Sequence, residues 1–460
     1  GATAAPGQLR PLQGRVSFSR ERLLRELGEI ADAAGSPSRY VVAFSGGLDS
    51  TVLLHALVAC SDRYGIPVIA VYVDHGLQRD SSRWSGHCEA FAEQLGIEFH
   101  SLSVVVDTQS GTGLEAAARE ARYAGLRNML QPGDWLLSAH HRDDQAETVL
   151  LNLMRGSGPA GLAGIGRIRK FAAGWLARPL LDVTRAALQE YANVHSLDTI
   201  TDPSNVDQQF DRNYLRHEVL PRFEARWPDA AKRIRRSATL AGEAAGLLAE
   251  LAALDAAMLG DRPDRLAISR LRELAAPRQR NVLRHVIADL GLPMPGGAQL
   301  EQIVNELIDA RDDAQPLVAW PGARARRYRD RLYLLPGDEL EPQPATAQAC
   351  VGERLLLPGG LGMLALEPDA KHGVSAAVVE RGLVVQYRSG GERFKPLNQE
   401  HTRKLKKLLQ EEGVVPWMRE RIPLIYSGDE LVAVGDLWIA AAAAASPGTA
   451  IRWQNRPPIH

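Results

Sequence analysis

The stretch Tyr40 to Ala59, YVVAFSGGLDSTVLLHALVA, decides the fold that the sequence predicts. Val41 and Val42 indicate a buried β-strand, the glycines at 46 and 47 indicate a turn, and an apolar helix is predicted to begin near Ser50. A strand that runs through glycines into a helix N-terminus presents unpaired backbone N–H groups and a positive dipole end, which together attract phosphate. The stretch therefore predicts a phosphate-binding turn at residues 45–50, called the phosphate loop below.

The phosphate loop contains no Gly-Lys-Ser/Thr sequence, so the lysine that holds phosphates in a P-loop is absent. Phosphate contacts are expected from the hydroxyls of Ser45 and Ser50 and from backbone amides, with Asp49 free to hold Mg²⁺. The alternative is a glycine-containing turn with a purely structural cap. As a set, the loop resembles the signature of PP-loop enzymes, which split ATP into AMP and pyrophosphate, and its expected ATP-binding residues are Ser45, Gly46, Gly47, Leu48, Asp49 and Ser50.

Length and composition indicate a soluble protein of several domains. The chain has 460 residues, 45% hydrophobic and 24% charged, which suggests about three domains. It has no run of about 18 apolar residues, so no membrane partner is expected. Its three cysteines are far apart and form no CxxC, which favours a reducing, cytoplasmic location and argues against a zinc or iron–sulfur site.

The charge is nearly balanced overall but uneven along the chain. A formal net charge of −1 excludes nucleic-acid binding by global basicity. However, residues 155–181 carry five basic side chains and no acidic one, and residues 381–421 carry ten basic and five acidic ones. Such local patches suit a polyanion that is held at several places, although a charged stretch is often only a solvated face.

Strand and helix patterns alternate through the first half of the chain. Apolar strands such as residues 68–74 and 135–139, separated by helical patterns, predict an α/β fold with a parallel sheet covered by helices on both faces. Ligands bind outside the carboxyl ends of such strands. The segments at 45–50, 74–76 and 140–144 are therefore expected to converge on one crevice.

Composition also predicts the domain boundaries. We expect a catalytic PP-loop domain at 17–220, a small α-helical domain at 221–335, a linker at 336–349 and a small α+β domain at 350–460. Residues 1–16 are expected to be a tag remnant or disordered. A glycine-rich segment at 156–166 is predicted to form a mobile or tightly turning loop, and Ala323 to Leu335 is predicted to be strand-like.

Acidic residues cluster at the start of a predicted helix in DDQAE, residues 143–147. Asp144 and Glu147 are three apart, so their carboxylates share one helix face, which is unfavourable unless a cation lies between them. Mg²⁺ or a substrate ammonium group would serve. His141 could hold a phosphate or move a proton. The alternative is a helix N-terminus that carries acids only because of its dipole.

Two arginines lie one turn apart in the predicted helix at 114–130. Arg119 and Arg122 could meet one phosphate together, although Arg119 could equally pair with Glu115 on the helix surface. Arg122 is the better candidate for a site residue. His75, at a strand end, is more typical of a packed side chain than of a ligand.

Several longer motifs now point to one family. The segments SGGLDS, VDHGL, EAAAREARY, AHHRDDQAET, RGSGPAGL, RPLL, DPSN and RNYLR occur in order through the first 220 residues, and RSGGERFKP and KLKKLLQEEGVVPWMRERIPLIY lie in the last domain. This set resembles the tRNA(Ile)-lysidine synthase family over nearly the whole chain. The resemblance implies the three-part organisation that this family has.

The resemblance also implies a reaction and its partners. ATP would adenylate C2 of the wobble cytidine in a CAU-anticodon tRNA(Ile), and the ε-amine of free L-lysine would then displace AMP to form lysidine. Candidate catalytic residues are Asp49, which would hold Mg²⁺, Arg122, His141, Asp144 and Glu147, the last two for the lysine ammonium. Candidate tRNA-binding residues are Arg212, Arg216, Arg393, Lys395, Arg403, Lys404, Lys406 and Lys407. The sequence does not fix the oligomeric state and leaves a homodimer open.

Other functions fit parts of the sequence. A PP-loop tRNA thiolation enzyme would share the adenylation chemistry, but such enzymes generally need paired cysteines or a sulfur relay, and the three cysteines here are scattered. A nucleotide-binding regulatory or RNA-binding protein would not need the paired carboxylates and His141. A metabolite ligase would leave the basic regions unexplained.

Overall fold

The computed structural model describes residues 18–61, 65–76, 81–107, 114–203, 207–260, 262–311, 314, 316–337, 349–350 and 354–460. The predicted leading segment and most of the predicted linker lie outside these residues. The chain forms two compact units, the first ending at Leu247 and the second beginning at Leu248.

Unit 1 is built on a six-stranded sheet with the strand order β3-β2-β1-β4-β6-β5. The strands are β1 Arg39–Ala43, β2 Val68–Asp74, β3 Glu98–Ser103, β4 Asp134–Leu137, β5 Ile168–Phe171 and β6 Gly174–Ala177. All neighbours run parallel except the edge strand β5, which is antiparallel to β6. The predicted parallel sheet is confirmed. The β5–β6 hairpin was not predicted, because each strand has only four residues and β5 exposes Arg169 and Lys170.

Both faces of the sheet are apolar and covered by helices. Tyr40 and Val42 of β1 pack in a core with α1, α2 and α7, whereas Val41 packs on the opposite face with Leu126 of α4. Because successive strand residues point to opposite faces, burial on both sides explains the uninterrupted apolar sequence of β1.

Helices connect the strands and continue beyond them. They are α1 Arg20–Ala34, α2 Leu48–Ser61, α3 Ser81–Gln94, α4 Leu114–Met129, α5 Arg142–Met154, α6 Pro159–Leu162, α7 Arg185–Val194, α8 Asp211–Tyr214, α9 Leu220–Arg226 and α10 Ala230–Met258. A π-helical segment, Leu215–Val219, joins α8 to α9. Helix α2 begins two residues before its predicted start, which places Asp49 in the first helical turn.

Helix α10 departs from the sequence analysis in one respect. Among the described residues it is the single helix that is long and apolar enough to cross a membrane by length and composition, although the sequence analysis found no such stretch. Its polar residues include Glu243 and Glu250, both exposed. One such helix is weak evidence for a membrane span.

Unit 2 opens with helices packed on a four-stranded antiparallel sheet of order β7-β10-β9-β8. These elements are β7 Arg265–Ala267, α11 Ile268–Glu273, α12 Ala276–Asp289, α13 Gly297–Gln302, a π-helical segment Ile303–Ile308, β8 Leu317–Trp320, β9 Ala323–Tyr328 and β10 Arg331–Pro336. The predicted strand-like stretch is therefore a hairpin, which turns at Arg329 with φ +52°.

The rest of unit 2 is mostly β-structure around its own apolar core. It contains β11 Ala349–Cys350, β12 Arg354–Leu356, β13 Met363–Ala370, β14 Gly373–Val374, α14 Ala376–Glu380, β15 Val384–Gln386, β16 Arg393–Phe394, β17 Arg403–Lys404, α15 Leu405–Glu412, a 3₁₀ turn Pro416–Met418, β18 Leu424–Ser427, β19 Glu430–Val434, β20 Trp438–Ile439, β21 Ala444–Ala445 and β22 Gly448–Gln454. They form two five-stranded sheets and the small β16–β17 ribbon.

Candidate active site

A cavity of about 570 Å³ opens in unit 1 at the carboxyl ends of β1 and β4. Its lining includes the phosphate loop, His140 beyond β4, Asp144 of α5 and Arg216 of the π-helical segment. Two of the three predicted strand ends therefore meet here. The third, at 74–76, does not line the cavity.

The phosphate loop is held in shape by its own hydroxyls. The Ser50 hydroxyl accepts a hydrogen bond from the Ser45 backbone N–H at 3.2 Å and donates to the Gly47 carbonyl at 3.1 Å. Gly46 has φ +73°, and a Cβ there would lie 2.5 Å from Ile200 Cδ1 and 2.9 Å from Cys88 Sγ. The loop geometry thus requires glycine at position 46 both for its backbone angle and for space.

The side chains of Asp49, in the first turn of α2, and His141, at the N-cap of α5, lie next to each other. His141 Nε2 lies 3.6 Å from Asp49 Oδ2 and 3.5 Å from Asp144 Oδ2, and its side chain is 1% exposed. The other oxygen, Asp49 Oδ1, is buried and has no hydrogen-bond partner in the described part of the chain. Such an oxygen is unfavourable unless a cation or a donor satisfies it.

The charge state of His141 is set by its neighbours. Burial by itself lowers the pKa of His141, but the carboxylates of Asp144, Asp49 and Asp143 outweigh burial and raise it. The Asp143 backbone N–H donates to His141 Nδ1 at 3.2 Å, so Nε2 is the nitrogen that carries a proton toward Asp49 and Asp144. The raised pKa makes His141 a stronger base than an ordinary histidine, and its Nε2–H lies beside the Asp49 and Asp144 carboxylates.

The two carboxylates predicted to bind an ammonium group are paired with arginines. Glu147 is fully buried, and its oxygens lie 2.7 Å from Arg212 Nε and 2.7 Å from Arg216 Nε. Asp144 is 13% exposed and lies 3.1 Å from Arg216 Nη2. Although burial acts in the opposite direction, His141 and Arg212 lower the pKa of Asp144. The predicted cation between the carboxylates is therefore supplied by the chain itself.

Arg122 is exposed at the cavity wall and bonded to His75. Its Nε and Nη2 atoms lie 3.1 and 3.0 Å from His75 Nε2. Burial and the Arg122 charge lower the pKa of His75 to about 4, so His75 is a neutral acceptor. Arg119, the other predicted arginine, lies over the Tyr123 ring at 5.2 Å, and Glu115 lies outside the residues whose side chains are described.

Some cavity residues were given no role from the sequence. His140 belongs to the segment that was expected to reach the crevice, and it lines the cavity, where burial lowers its pKa to about 3. Ile200 also lines it, and its backbone N–H donates to the Gly46 carbonyl at 2.8 Å. The nearby DPSN motif, one of the segments that resemble the family, was the available signal. The predicted glycine-rich loop contains α6 and is bonded to α5, because Gln145 accepts from the Ile165 N–H at 2.6 Å.

The basic residues predicted in the last domain lie in unit 2 as one group, called the basic cluster: Arg393, Lys395, Arg403, Lys404, Lys406 and Lys407. The β16–β17 ribbon pairs Arg393 with Lys404, and α15 continues directly from the ribbon. All but Arg403 are exposed, and Arg403 is 2.5 Å from Glu411. Arg403 and Lys404 form strand β17, and α15 begins at the next residue.

The fold and the cavity define the class to which unit 1 belongs. A family model described as the PP-loop domain matches residues 19–223, so the chain is an ATP-using enzyme of the PP-loop class. It is also 44% identical over 432 residues to the tRNA(Ile)-lysidine synthase of Alkalilimnicola ehrlichii, which covers 94% of this chain and 96% of that protein. The chain belongs to the tRNA(Ile)-lysidine synthase family.

Two further family models and a second relative agree with this family membership. The TilS substrate binding domain matches residues 266–333 and the TilS substrate C-terminal domain matches residues 383–454. The tRNA(Ile)-lysidine synthase of Coxiella burnetii is 39% identical, covering 91% of this chain and 92% of that protein. Among solved structures, a U34-tRNA thiolase from Methanococcus maripaludis has a TM-score of 0.40 and 20% identity over 48% of this chain and 77% of that one.

Proposed function

We propose that the enzyme joins L-lysine to the wobble cytidine of a CAU-anticodon tRNA(Ile) to form lysidine. In the first step the cytidine O2 attacks the α-phosphorus of ATP, and the bond to pyrophosphate breaks. In the second step the lysine ε-amine attacks C2, the C2–O bond breaks, and AMP leaves with the oxygen. The observation that carries the proposal is family membership over 94% of the chain, together with a phosphate loop whose Asp49 carboxylate lies beside His141.

The phosphate loop would hold the leaving pyrophosphate. The hydroxyls of Ser45 and Ser50 and the amides at the start of α2 are suited to its oxygens. The buried, unpartnered Asp49 Oδ1 fits a Mg²⁺ ion, which when bound would neutralise charge on the phosphates. No group of three or more His, Cys, Asp or Glu side chains among the described residues forms a metal site on its own, so phosphate oxygens and water would complete the coordination.

The cavity wall suggests separate roles for the two paired carboxylates. Asp144 reaches the cavity and would face the lysine ammonium, whereas the fully buried Glu147 would hold Arg212 and Arg216 in place. Arg216 lines the cavity and would meet the cytosine or its phosphate. His141 and Arg122 are the candidates for the α-phosphate.

The remaining partners follow from the rest of the chain. The basic cluster in unit 2 would bind tRNA away from the cavity, since several exposed cations suit a phosphate backbone. Cys60 and Cys88 are free thiols, as expected for an enzyme of the cytoplasm.

The first step can be tested separately from the second. Pyrophosphate release should require ATP, Mg²⁺ and the CAU-anticodon tRNA, and should proceed at least once per enzyme without lysine. A transcript with uridine at the wobble position is the matched control and should support no release. Release at the same rate without tRNA, or with the uridine transcript, would contradict the proposal.

A further inference from the structure

A groove of about 500 Å³ lies beside the active-site cavity in unit 1, between α4 and the edge strand β5. Its lining includes one acidic side chain, Glu120, and two aromatic ones. The residues that define it are Arg119, Tyr123, Arg127, Arg169, Lys170 and Phe171.

The groove arranges its cations around two aromatic rings. Tyr123 and Phe171 meet edge to face, with ring centroids 5.6 Å apart. The Arg169 guanidinium lies 5.3 Å from the Phe171 centroid, and Arg127 lies 5.8 Å from the same ring. Guanidinium groups held over aromatic faces keep their orientation without an acidic partner.

A purely structural explanation accounts for part of this arrangement. Arg169 and Lys170 lie on an edge strand, where charge prevents the strand from pairing with another chain. However, Arg119 and Arg127 lie on helix α4, which has no exposed strand edge to protect from pairing. Among the described residues, none of these four cations forms an ion pair within 4 Å, so the groove presents concentrated positive charge.

The groove adjoins the active-site cavity, since Arg119 and Tyr123 line both. We propose that the groove binds the single-stranded RNA nucleotides that flank the base entering the cavity. Its arginines and Lys170 would contact successive phosphates, and the half-buried Tyr123 would present a ring edge or face to a base. The inference rests on the proposed function.

The extent of the positive charge favours a polyanion over a single phosphate group. The phosphate loop already provides hydroxyls and amides for the phosphates of ATP. Four further cations that extend away from it along α4 and β5 match a run of phosphodiesters instead. A nucleic-acid strand that must unstack one base for reaction has such a run on either side of it.

The test compares two double variants by anisotropy with a labelled CAU-anticodon stem-loop RNA at several salt concentrations. The Arg127→Gln, Arg169→Gln variant removes two charges but keeps long, planar side chains over Phe171. We expect RNA binding at least about 10-fold weaker and a salt slope smaller by about 1.4, as for two lost contacts to a single strand. The Arg25→Gln, Lys232→Gln variant has the same charge change at two exposed positions of unit 1 and should match the wild type.

Further variants distinguish a wrong groove proposal from a wrong proposed function. The Arg127→Lys, Arg169→Lys variant keeps the charge and should restore most of the affinity and the slope. If the glutamine variant does not fold, Arg119→Gln with Lys170→Gln replaces it. If a folded groove variant binds the RNA with unchanged affinity and salt slope, while the wild-type enzyme forms lysidine, the proposal that the groove binds RNA is wrong. If instead the wild-type enzyme binds the RNA but forms no lysidine, the proposed function is wrong.

Discussion

Asp49 has one carboxylate oxygen beside His141, and the other is buried and has no hydrogen-bond partner among the described residues. Asp49 lies in the first turn of α2, next to the helix N-terminus at which phosphates would bind. An ionised carboxylate in that position repels phosphate unless a divalent cation lies between them. The residue is therefore the clearest test of the proposed Mg²⁺.

Asp49→Asn should abolish most of the adenylation activity while leaving tRNA binding intact. The amide is isosteric but has no charge to hold a cation, so we expect pyrophosphate release to fall by about 100-fold or more. Stopped-flow pyrophosphate detection and a tRNA binding assay measure the two effects. Asp198→Asn, at a 91% exposed side chain, is the matched control. Wild-type turnover in the Asp49 variant would remove the metal role.

Glu147→Ala should destabilise unit 1. The substitution leaves Arg212 and Arg216 partly buried without their shared carboxylate, and breaking a buried ion pair costs about 3–5 kcal/mol. Denaturant unfolding, followed by fluorescence, measures the loss. Glu190→Ala, on the exposed face of α7, should change the unfolding free energy by less than about 0.5 kcal/mol. Equal stabilities of the two variants would contradict the assigned role of Glu147.

At the residue scale, the sequence predicted what lies within a few positions along the chain. The phosphate loop was identified because its hydroxyls and glycines are adjacent, and the helical spacing of Asp144 and Glu147 placed their carboxylates on one face. Their pairing with Arg212 and Arg216 was not predicted, because it depends on how a segment about 65 residues later packs against α5. The same spacing argument pointed to a cation, but not to its source.

At the element scale, the β1–α2 connection depends on one backbone angle. Gly46→Ala should lower the unfolding free energy by about 1–2 kcal/mol or more, because φ +73° is strained for alanine and Ile200 must move. Gly47→Ala is the matched control, since its Cβ would meet its nearest atom, Ser45 Oγ, at an ordinary 3.5 Å. Thermal unfolding compares the two. Equal melting temperatures would show that the angle at Gly46 is not a constraint.

Element boundaries were predicted where the apolar pattern extends over many residues, and they were missed where the elements are short. The strand at residues 68–74 was predicted with its observed limits, because six consecutive apolar residues are followed by an aspartate at its end. Strands β5 and β6 were missed, since four residues carry too little pattern. The hairpin in Ala323 to Leu335 was predicted as one stretch, because its turn contains Arg329 and Asp330 rather than glycine.

At the scale of the whole molecule, the proposed nucleotide and tRNA sites lie in different units. Unit 1 carries the nucleotide site and unit 2 carries the basic cluster, which a nearly neutral net charge conceals. The sequence predicted this uneven charge, and it placed the six basic residues in one domain. It did not predict that the β16–β17 ribbon brings Arg393 opposite Lys404, because two-residue strands leave no periodic signal.

Replacing Lys404, Lys406 and Lys407 together with alanine should weaken tRNA binding and flatten its salt dependence. Three lost phosphate contacts should reduce the slope of log affinity against log salt by about 2.7, while adenylation at saturating tRNA is retained. Alanine at Arg354, Lys371 and Arg381 removes the same charge from exposed positions of unit 2 and is the control. Equal slopes for the two variants would place tRNA binding elsewhere.

The most direct test of the central claim is the product itself. The enzyme is incubated with ATP, Mg²⁺, isotope-labelled lysine and the CAU-anticodon tRNA(Ile), and the nucleosides of the digested RNA are analysed by mass spectrometry. The proposed function predicts a labelled cytidine derivative, heavier by one lysine less one water, at the wobble position and only when ATP is present. Unmodified cytidine at that position, or a sulfur-containing nucleoside in its place, would contradict it.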